Sequence, residues 1–296
     1  MKNEALIARG YEQAAAITRD RAKSFHFASR FLGPIARERA FAVYAFCRRC
    51  DDAVDTGGND LAGRVSDLRA QVDDAYRGED RGDPILAAFS DTARATAIPK
   101  EALHELIRGM EQDLVKKRYA TWDELLDYCQ LAAGTVGIMM ASVFGVSDRA
   151  ALENAAALGR AMQITNVLRD VREDLEEHGR IYLPLVPLRD KGVTEEDLAR
   201  FASRGSVAPG PAGDGFRAIM REAARRAEEL YRLADEGVPF IRSRSGQACV
   251  RVMRASYSEI LRVLASRDWD PFRGRARTST VRKVRVSARA LLLGGR

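Results

Sequence analysis

Residues 163–184 read QITNVLRDVREDLEEHGRIYLP, and this stretch decides how the rest of the chain is interpreted. Asn166, Asp170 and Asp174 follow one another at intervals of four residues. On a helix with about 3.6 residues per turn, the three side chains lie on one face. Carboxylates at that spacing repel each other and weaken a helix by roughly 0.2–0.5 kcal/mol per pair. The pattern therefore indicates either a solvated face or a face that holds a cation.

A second acidic stack lies far upstream in CRRCDDAVD, residues 47–55. Asp51 and Asp55 are again four residues apart, and Asp52 adjoins Asp51. The preceding run AFAVYAFC is almost wholly apolar, which is typical of a buried helix. The 163–184 stretch also has an apolar flank. Two acidic stacks on two core helices predict one shared acidic cavity.

Two interpretations of these stacks stay open on the pattern alone. Arg48, Arg49, Arg169 and Arg172 adjoin the acids and could neutralise them in ordinary surface salt bridges, which contribute little to stability. Alternatively, carboxylate oxygens suit Mg²⁺ with substrate phosphates completing its coordination. Arginines beside them suit the oxygens of a diphosphate, which a guanidinium can bind in bidentate fashion.

Composition describes an ordinary globular protein with a sizeable core. Of its 296 residues, 46% are hydrophobic and 30% are charged, and the net charge is +6. From Arg267 onward there are nine Lys/Arg residues against two Asp, so a basic tail carries more than the whole excess. Such a tail could contact anionic lipid or an anionic substrate. Without interleaved aromatic residues, nucleic acid is not expected as a partner.

Four cysteines give no disulfide framework, and we expect a cytoplasmic protein. The first residues, MKNEALIARGYEQ, are charged and amphipathic, so no secretory signal is expected. The least polar stretch, residues 131–146, is shorter than the roughly 20 residues of a membrane-spanning helix. The chain is therefore expected not to span a membrane.

Helical periodicity dominates, and no run alternates as a strand would. We predict a single all-α domain over residues 1–296, with an N-terminal helix at 1–20 and a basic tail at 267–296. Helices are predicted at 4–20, 35–55, 60–77, 84–97, 100–117, 122–144, 149–178, 195–203, 214–235, 239–266 and 280–293. The segment RGSVAPGPAGDG, residues 204–215, is predicted to be a mobile loop.

Two further segments carry candidate or charged groups. In KSFHFASRFLG, Lys23 and Ser24 precede Phe25, which predicts either a phosphate contact backed by an aromatic wall or a helix packing its Phe face. In RGMEQD, Asp113 is predicted to lie on the surface. The chain contains no GxxxxGK[ST], GxGxxG, GxSxG or HExxH motif, so the chemistry is expected to depend on metal, carboxylates and arginines.

With these motifs together, the chain resembles the squalene/phytoene synthase family of head-to-head prenyl synthases, and most of all the bacterial phytoene synthases. The resemblance runs from Lys23 to about Ala290. The segments that carry it are KSFHFASRFL, YAFCRRCDDAVD, YCQLAAGTVGIMM, GRAMQITNVLRDVREDLEEHGRIYLP and GRARTSTVRK. The long fourth segment is the most specific of the five.

The resemblance implies an isoprenoid-synthase fold with a large central cavity and a set of site residues. The metal ligands it implies are Asp51, Asp55, Asn166, Asp170 and Asp174. Arg48 and Tyr44 would join the four aspartates in catalysis. The substrate-binding positions it implies are Lys23, Ser24, Phe25, Gln163, Asn166, Arg169, Tyr257 and Arg275. On the central helix, Ala133, Gly134, Val136, Gly137, Met139 and Met140 would offer either a small and soft cavity lining or a tight helix contact.

The implied activity is that of a Mg²⁺-dependent prenyltransferase, with Mn²⁺ as an alternative ion. Two geranylgeranyl diphosphates would condense to a cyclopropylcarbinyl (prephytoene) diphosphate and then rearrange to phytoene, with release of pyrophosphate. The alternative is a presqualene diphosphate or squalene synthase acting on two farnesyl diphosphates, with NADPH needed only for squalene. Two further alternatives, a non-catalytic subunit and a binder using the basic tail, leave the intact acidic stacks unexplained. Peripheral contact with the inner face of the membrane is expected because the product is insoluble in water.

One position departs from the family pattern. Many relatives have a tyrosine directly after the Tyr–Cys pair of the central helix, where this chain has Gln130. That tyrosine is thought to assist the second half of the reaction. The departure therefore bears on whether the rearrangement runs to completion.

Overall fold

Helices make up nearly all of the described chain, as the hydrophobic periodicity predicts. The computed structural model describes residues 2–55, 61–146 and 148–293, and within these ranges it contains no β-strand, only an isolated bridge between Arg118 and Ile181. The all-α prediction is confirmed. In chain order the helices are α1 (Lys2–Arg21), α2 (Lys23–Ala28), α3 (Pro34–Asp55), α4 (Leu61–Arg77), α5 (Pro84–Thr96), α6 (Lys100–Val115), α7 (Trp122–Cys129), α8 (Thr135–Val143), α9 (Arg149–His178), α10 (Leu185–Asp190), α11 (Glu195–Arg204), α12 (Pro211–Gly237), α13 (Arg244–Ser266) and α14 (Thr280–Leu293).

Helices α7 and α8 form one continuous rod through a single π turn, Gln130–Gly134. The rod begins where the Thr121 hydroxyl accepts a hydrogen bond from the Glu124 amide, a standard N-terminal cap. By length and composition alone, the stretch Trp122–Val143 could cross a membrane. It is longer than the apolar stretch 131–146 considered in the sequence because the helix begins at Trp122. Half of its apolar window is buried in the protein, which is the setting of a core helix.

The 30-residue helix α9 packs directly against this rod. Glycines allow the close approach: a Cβ on Gly159 would lie 2.0 Å from the carbonyl oxygen of Ala133, and one on Gly137 would lie 2.2 Å from that of Ala155. Asp148 caps the start of α9, and Gly179 ends it in the left-handed conformation at φ 63°. Contact at backbone distance fixes the two central elements relative to each other.

Two large hydrophobic clusters flank this centre. One gathers residues of α9, α11, α12 and α13, including the fully buried Phe216 and Tyr231. The other gathers residues of α3, α4, α5 and α6, where the rings of Phe46 and Phe89 stack with centroids 4.2 Å apart. Met162 and Tyr257 pack against both clusters, so α9 and α13 lie where the two meet.

Helix α12 begins at Pro211, so the prediction of a mobile loop as far as Gly215 was wrong. Proline is favourable in the first helical turn because the N–H it lacks would have no partner there. A Cβ on Gly213 would lie 1.8 Å from the carbonyl oxygen of Ala208, and one on Gly215 would lie 2.2 Å from that of Lys191. These glycines permit close backbone packing, and composition alone does not distinguish that role from flexibility.

Helices α2 and α10 were not predicted from the periodicity. Each has six residues, fewer than two full turns. Such a segment is too short for a hydrophobic period to appear. The other helix boundaries agree with the predicted ones to within a few residues.

We predict that Gly159→Ala destabilises the protein by roughly 1–3 kcal/mol, the range for overpacked cores. The added methyl group meets the Ala133 carbonyl oxygen, and backbone atoms there have no room to yield. Equilibrium urea denaturation measures the change. The matched control is Gly33→Ala, where an added Cβ meets nothing within 4 Å and stability should change by less than about 0.5 kcal/mol. Equal stability of the two variants would contradict the close contact of α9 with the rod.

Candidate active site

A cavity of about 870 Å³ lies between α3, α8, α9 and α13, with α2 and the segment before α14 at its polar end. Its volume is within the range of sites for small molecules and cofactors. Most of the predicted site residues line it. These are Lys23, Ser24, Phe25, Tyr44, Arg48, Gln163, Asn166, Arg169, Tyr257 and Arg275.

One face of α9 lines the cavity along most of its length. The lining residues recur every three or four positions, as on one side of a helix. They are Ala151, Asn154, Ala155, Leu158, Gly159, Met162, Gln163, Asn166 and Arg169. Apart from Asn154, whose amide donates to the Leu233 carbonyl oxygen, the face is small and apolar at its N-terminal end, and it becomes polar at its C-terminal end. The cavity therefore has a charged end and an apolar end.

The first acidic stack is held by an arginine of the cavity wall. Arg48 Nη1 lies 2.7 Å from Asp51 Oδ2, and Nη2 lies 2.5 Å from Asp52 Oδ1. Arg49 is directed elsewhere and pairs with Asp83 at 2.9 Å. Asp55 ends α3, and its side chain lies outside the described residues. The arginine rather than the acid thus faces the cavity on this side.

The second stack is held in the same way from two directions. Arg169 Nε donates to Asp170 Oδ1 at 2.8 Å, and Arg275 Nε lies 3.0 Å from the same oxygen. Arg275 comes from the basic tail, 105 positions further along the chain. Arg172 instead pairs with Glu176 at 2.9 Å. Because Arg169 and Arg275 line the cavity, both stacks lie directly behind a row of guanidinium groups.

Asp174 is the least compensated member of the second stack. Burial, followed by the negative charges of Asp170, Asp113 and Glu173, raises its pKa to about 8, against the opposing charge of Arg180. One turn before Asp170, the side-chain oxygen of Asn166 is buried, and it has no hydrogen-bond partner among the described residues. A cation bound here would stabilise the ionised form of Asp174 and would give the Asn166 oxygen a partner.

These residues fit a hard divalent cation, provided that the substrate supplies part of the coordination. In the described part of the chain, no group of three or more His, Cys, Asp or Glu side chains is arranged to hold an ion unaided. Mg²⁺ ordinarily takes one or two carboxylates together with substrate phosphates and water. The oxygen donors of Asn166, Asp170 and Asp174 match that preference.

Asp113 is not on the surface, so that prediction was wrong. Tyr182 donates a hydrogen bond to Asp113 Oδ1 at 2.6 Å, and Arg180 Nη1 lies 3.3 Å from Oδ2. Both partners follow α9, whose final turn carries Asp174. Spacing within α6 gives no signal of this, since the partners come from the distant RIYLP segment. Asp113 therefore contributes charge to the second acidic stack from another helix.

Lys283 is a cavity residue that the sequence pattern did not single out. Its ammonium group donates to the Ser24 hydroxyl at 3.2 Å, and burial lowers its pKa. Arg21 and Arg277 line the same end of the cavity. The available signal was the basic tail, in which nothing distinguishes an inward-facing lysine from the solvated ones.

Aromatic rings form the wall behind these cations. The rings of Phe25 and Tyr44 lie 5.8 Å apart, and Phe41 meets Phe25 edge to face at 6.0 Å. Burial raises the pKa of Tyr44 and of Tyr257, so both phenols keep their protons. Ring faces of this kind can stabilise a nearby cation.

Only some of the central-rod residues that were predicted to line the cavity do so. Ala133, Val136, Gly137 and Met140 reach the cavity. Gly134 and Met139 are buried in helix contacts instead. Among the described atoms, the side-chain oxygen of Gln130 is buried without a hydrogen-bond partner, and its carboxamide packs on Gly134. Single-turn π segments occur frequently at functional sites, and this one begins at Gln130.

Known proteins resemble this chain over most of its length. A family model described as squalene/phytoene synthase matches residues 18–287. Phytoene synthase 3 (chloroplastic) of Zea mays is 35% identical over 95% of this chain, which spans 65% of the relative. Phytoene synthase 2 (chloroplastic) of Solanum lycopersicum is 32% identical over 95% of this chain and 90% of its own length. A crystal structure of a dehydrosqualene synthase with ligand superposes with a TM-score of 0.87 at 27% identity, covering 99% of both chains.

We predict that, without metal, Asp174→Asn removes a pH dependence of stability. An aspartate has a pKa near 3.9 in an unfolded chain, against about 8 for Asp174 in the fold. Between these values the folded state holds a proton that the unfolded state releases, so the free energy of unfolding falls as pH rises. From pH 5 to 7, wild type should lose on the order of 2 kcal/mol that the variant does not lose.

Urea denaturation in EDTA at each pH measures this difference. The matched control is Asp127→Asn, because Asp127 is exposed. Its stability curve should run parallel to that of wild type. A parallel curve for Asp174→Asn would contradict the proton held at Asp174.

Proposed function

The chain belongs to the squalene/phytoene synthase family, and we propose that it joins two geranylgeranyl diphosphates head to head into phytoene. The reaction would pass through a cyclopropylcarbinyl (prephytoene) diphosphate and release pyrophosphate. The observation that carries the choice of a C20 substrate is the length of the apolar face that α9 presents to the cavity. The chain spans about 65% of the length of the maize relative. The proposal therefore rests on the residues of the cavity and not on the activity of that longer protein.

The lining face of α9 matches an extended C20 chain. Asn166, at the charged end, and Asn154 are twelve residues apart, about 18 Å at 1.5 Å per residue. An extended chain advances roughly 1.2 Å per bond, so the sixteen main-chain carbons of a C20 isoprenoid span about 18 Å and the twelve of a C15 chain about 13 Å. A C15 chain would end beside Leu158. The last isoprene unit of a C20 chain would lie beside Asn154 and Ala155.

Small residues make room for that last unit. Ala151 and Ala155 of α9 line this end of the cavity, and Ala234 and Gly237 of α12 face it. Gly237 packs so closely on Asn154 that a Cβ there would lie 2.5 Å from the Asn154 Cβ. Larger side chains at these positions would end the cavity where a C15 chain ends. Their small size supports the longer substrate.

The second candidate is the condensation of two farnesyl diphosphates to presqualene diphosphate or squalene. The observation that favours it is the close superposition on a dehydrosqualene synthase. A C15 chain fits the same face of α9 and leaves its apolar end empty. NADPH would be needed only if the product were squalene.

Cationic side chains would bind the diphosphates. Arg48, Arg169 and Arg275 present guanidinium groups to the cavity, and these can bind phosphate oxygens in bidentate fashion. Lys23, Ser24 and Lys283 lie together across the same end of the cavity. Gln163 and Tyr257 add amide and phenol donors to this end of the wall. An arriving diphosphate would compete with Asp51 and Asp170 for their arginines.

The residues that would hold Mg²⁺, or Mn²⁺ in its place, are Asp51, Asp55, Asn166, Asp170 and Asp174. When bound, the ion supplies positive charge that stabilises the leaving pyrophosphate. Arg48 and Arg169 would also contribute positive charge to the leaving pyrophosphate. The acids hold both side chains in place before the substrate arrives.

The apolar lining would protect the carbocation that ionisation leaves. Water would quench such a cation, and Val136, Met140 and Leu158 offer only apolar surface. Phe25 and Tyr44 place ring faces near the charged end, where the cation first forms. Rearrangement to a hydrocarbon requires both features.

We also propose a cytoplasmic enzyme in peripheral contact with a membrane, without a nucleic-acid partner. Four buried and unbonded cysteines fit a reducing compartment. A hydrocarbon product has no polar group and would leave water for a lipid phase.

Incubation with C15 and C20 allylic diphosphates separately, with Mg²⁺ and with or without NADPH, tests this function. We expect a C40 hydrocarbon from the C20 substrate without NADPH, and two pyrophosphates per hydrocarbon. EDTA should abolish turnover and added Mg²⁺ should restore it. Mass analysis of the extract identifies the product. A preferred C30 product would support the second candidate, and one pyrophosphate per diphosphate product would show that the reaction stops at the cyclopropyl intermediate.

We predict that Ala155→Phe changes the choice of chain length. The new ring would occupy the cavity about 16 Å along α9 from Asn166, beyond a C15 chain but within a C20 chain. The ratio of kcat/KM for C20 to that for C15 should fall at least tenfold. The matched control is Ala150→Phe, since Ala150 is exposed on the same helix. Equal losses for both substrates would contradict this placement of the chain.

A further inference from the structure

The outward side of α14 is exposed and mixes aliphatic residues with arginines. We call it the α14 outer face and define it by Val281, Val284, Arg285, Ala288, Arg289 and Leu292, all of which are exposed. We propose that this face docks the protein on the surface of a lipid bilayer that contains anionic lipids. The choice of a bilayer rests in part on the proposed function, whose product is a hydrocarbon.

Helical geometry places these residues together. At 100° per residue, Val281, Ala288 and Leu292 fall within about 40° of one another, with Val284 on one flank and the two arginines on the other. The side chains of Val281 and Leu292 are each 80% exposed, and Val284 is 51% exposed. The other large exposed apolar side chains of the described chain are scattered over several elements. An apolar strip flanked by arginines is the pattern of a helix that lies in the membrane interface.

The opposite side of α14 fixes its orientation. Val286 and Ser287 are buried there, and Arg282 forms an ion pair with the buried Glu259 of α13. Lys283 donates to Ser24 of α2 at the cavity. The outer face is therefore left over after α14 has made its core contacts, and it points away from the protein.

Charge complementarity favours anionic lipid. The α14 sequence TVRKVRVSARALLL contains no acidic residue, and no carboxylate among the described side chains pairs with Arg285 or Arg289. Each cation near an anionic membrane strengthens the attraction to it.

Two other occupants fit the face less well. A 14-residue helix is about 21 Å long, so one of its faces offers roughly 200 Å², far below the 800 Å² or so that each partner gives to a stable protein interface. Single-stranded nucleic acid is bound by stacking on aromatic rings, and the face has none. Position adds a further reason: Lys283, on the opposite side of α14, lines the cavity, so a membrane docked on the outer face would lie one helix away from the cavity.

Co-sedimentation of the full chain with vesicles tests the proposal. Wild type should bind vesicles of phosphatidylcholine with 30% phosphatidylglycerol at 0.1 M salt, at least tenfold more tightly than vesicles of phosphatidylcholine alone. Raising the salt to 0.5 M should release most of it, since the Debye length falls to a few ångströms. Equal binding to both vesicle types, or no binding to either, would overturn the proposal.

Two variants of the α14 outer face locate the contact. Arg285→Glu with Arg289→Glu, and Val281→Ser with Leu292→Ser, should each weaken binding at least tenfold. The matched controls carry the same changes elsewhere: Arg221→Glu with Arg232→Glu on the exposed side of α12, and Val115→Ser with Val186→Ser. The controls should bind within twofold of wild type. Wild-type binding by both outer-face variants would overturn the proposal.

An activity assay and a measurement of oligomeric state separate the remaining outcomes. Turnover of detergent-solubilised C20 diphosphate should be unchanged in the outer-face variants, because none of their residues lines the cavity. Vesicle binding that persists in a protein without turnover would refute the proposed function and leave the lipid contact standing. Turnover by a protein that does not bind vesicles would refute the lipid contact and leave the proposed function standing. A dimer that dissociates in the outer-face variants, with vesicle binding unchanged, would assign the face to a second copy of the chain.

Discussion

Negative charge held behind positive charge, at one end of an apolar cavity, is the constraint on which the structure depends. Asp51 on α3 and Asp170 on α9 would repel each other if both faced the cavity without compensation. Arg48, Arg169 and Arg275 lie between them and the cavity, within 3.0 Å of the carboxylates they hold. Each guanidinium group is thereby held in place before any substrate arrives, and such preorganised charge is the usual basis of electrostatic catalysis. Among the described side chains, Asp174 has no such partner at comparable distance, and its pKa is correspondingly raised.

Rigid packing of the central helices is the second requirement, since an arrangement of charges is useful only if it holds its place. Gly137 and Gly159 bring the central rod and α9 to backbone contact. That contact leaves few side-chain atoms between the helices. Both glycines also line the cavity, so the residues that allow the close contact leave open space beside it. Small residues thus fix the helices and open the cavity at the same time.

The fold could be predicted from the sequence almost completely, whereas the candidate site could be predicted only in its local parts. Helix periods and caps are properties of neighbouring residues, so α3, α9 and α13 were found within a few residues of their ends. The stacks at Asp51 and at Asp170 were found for the same reason. Asp113 and Lys283 were missed because their partners, Tyr182 and Ser24, are 69 and 259 positions away. The glycines of the 204–215 segment were misread because flexibility and close packing require the same residue.

Helix α9 combines both tasks of the proposed enzyme, and this has a consequence for how its specificity could change. The charged end at Asn166 and the small residues at Ala151 and Ala155 belong to one unbroken helix, whose rise per residue is fixed by backbone hydrogen bonds. The distance between the diphosphate and the end of its tail cannot then be adjusted by moving a loop. Only the size of side chains along the face can alter the length of chain that fits. Chain-length preference should therefore vary through substitutions on this face, while the charged end, where the proposed ionisation would occur, stays unchanged.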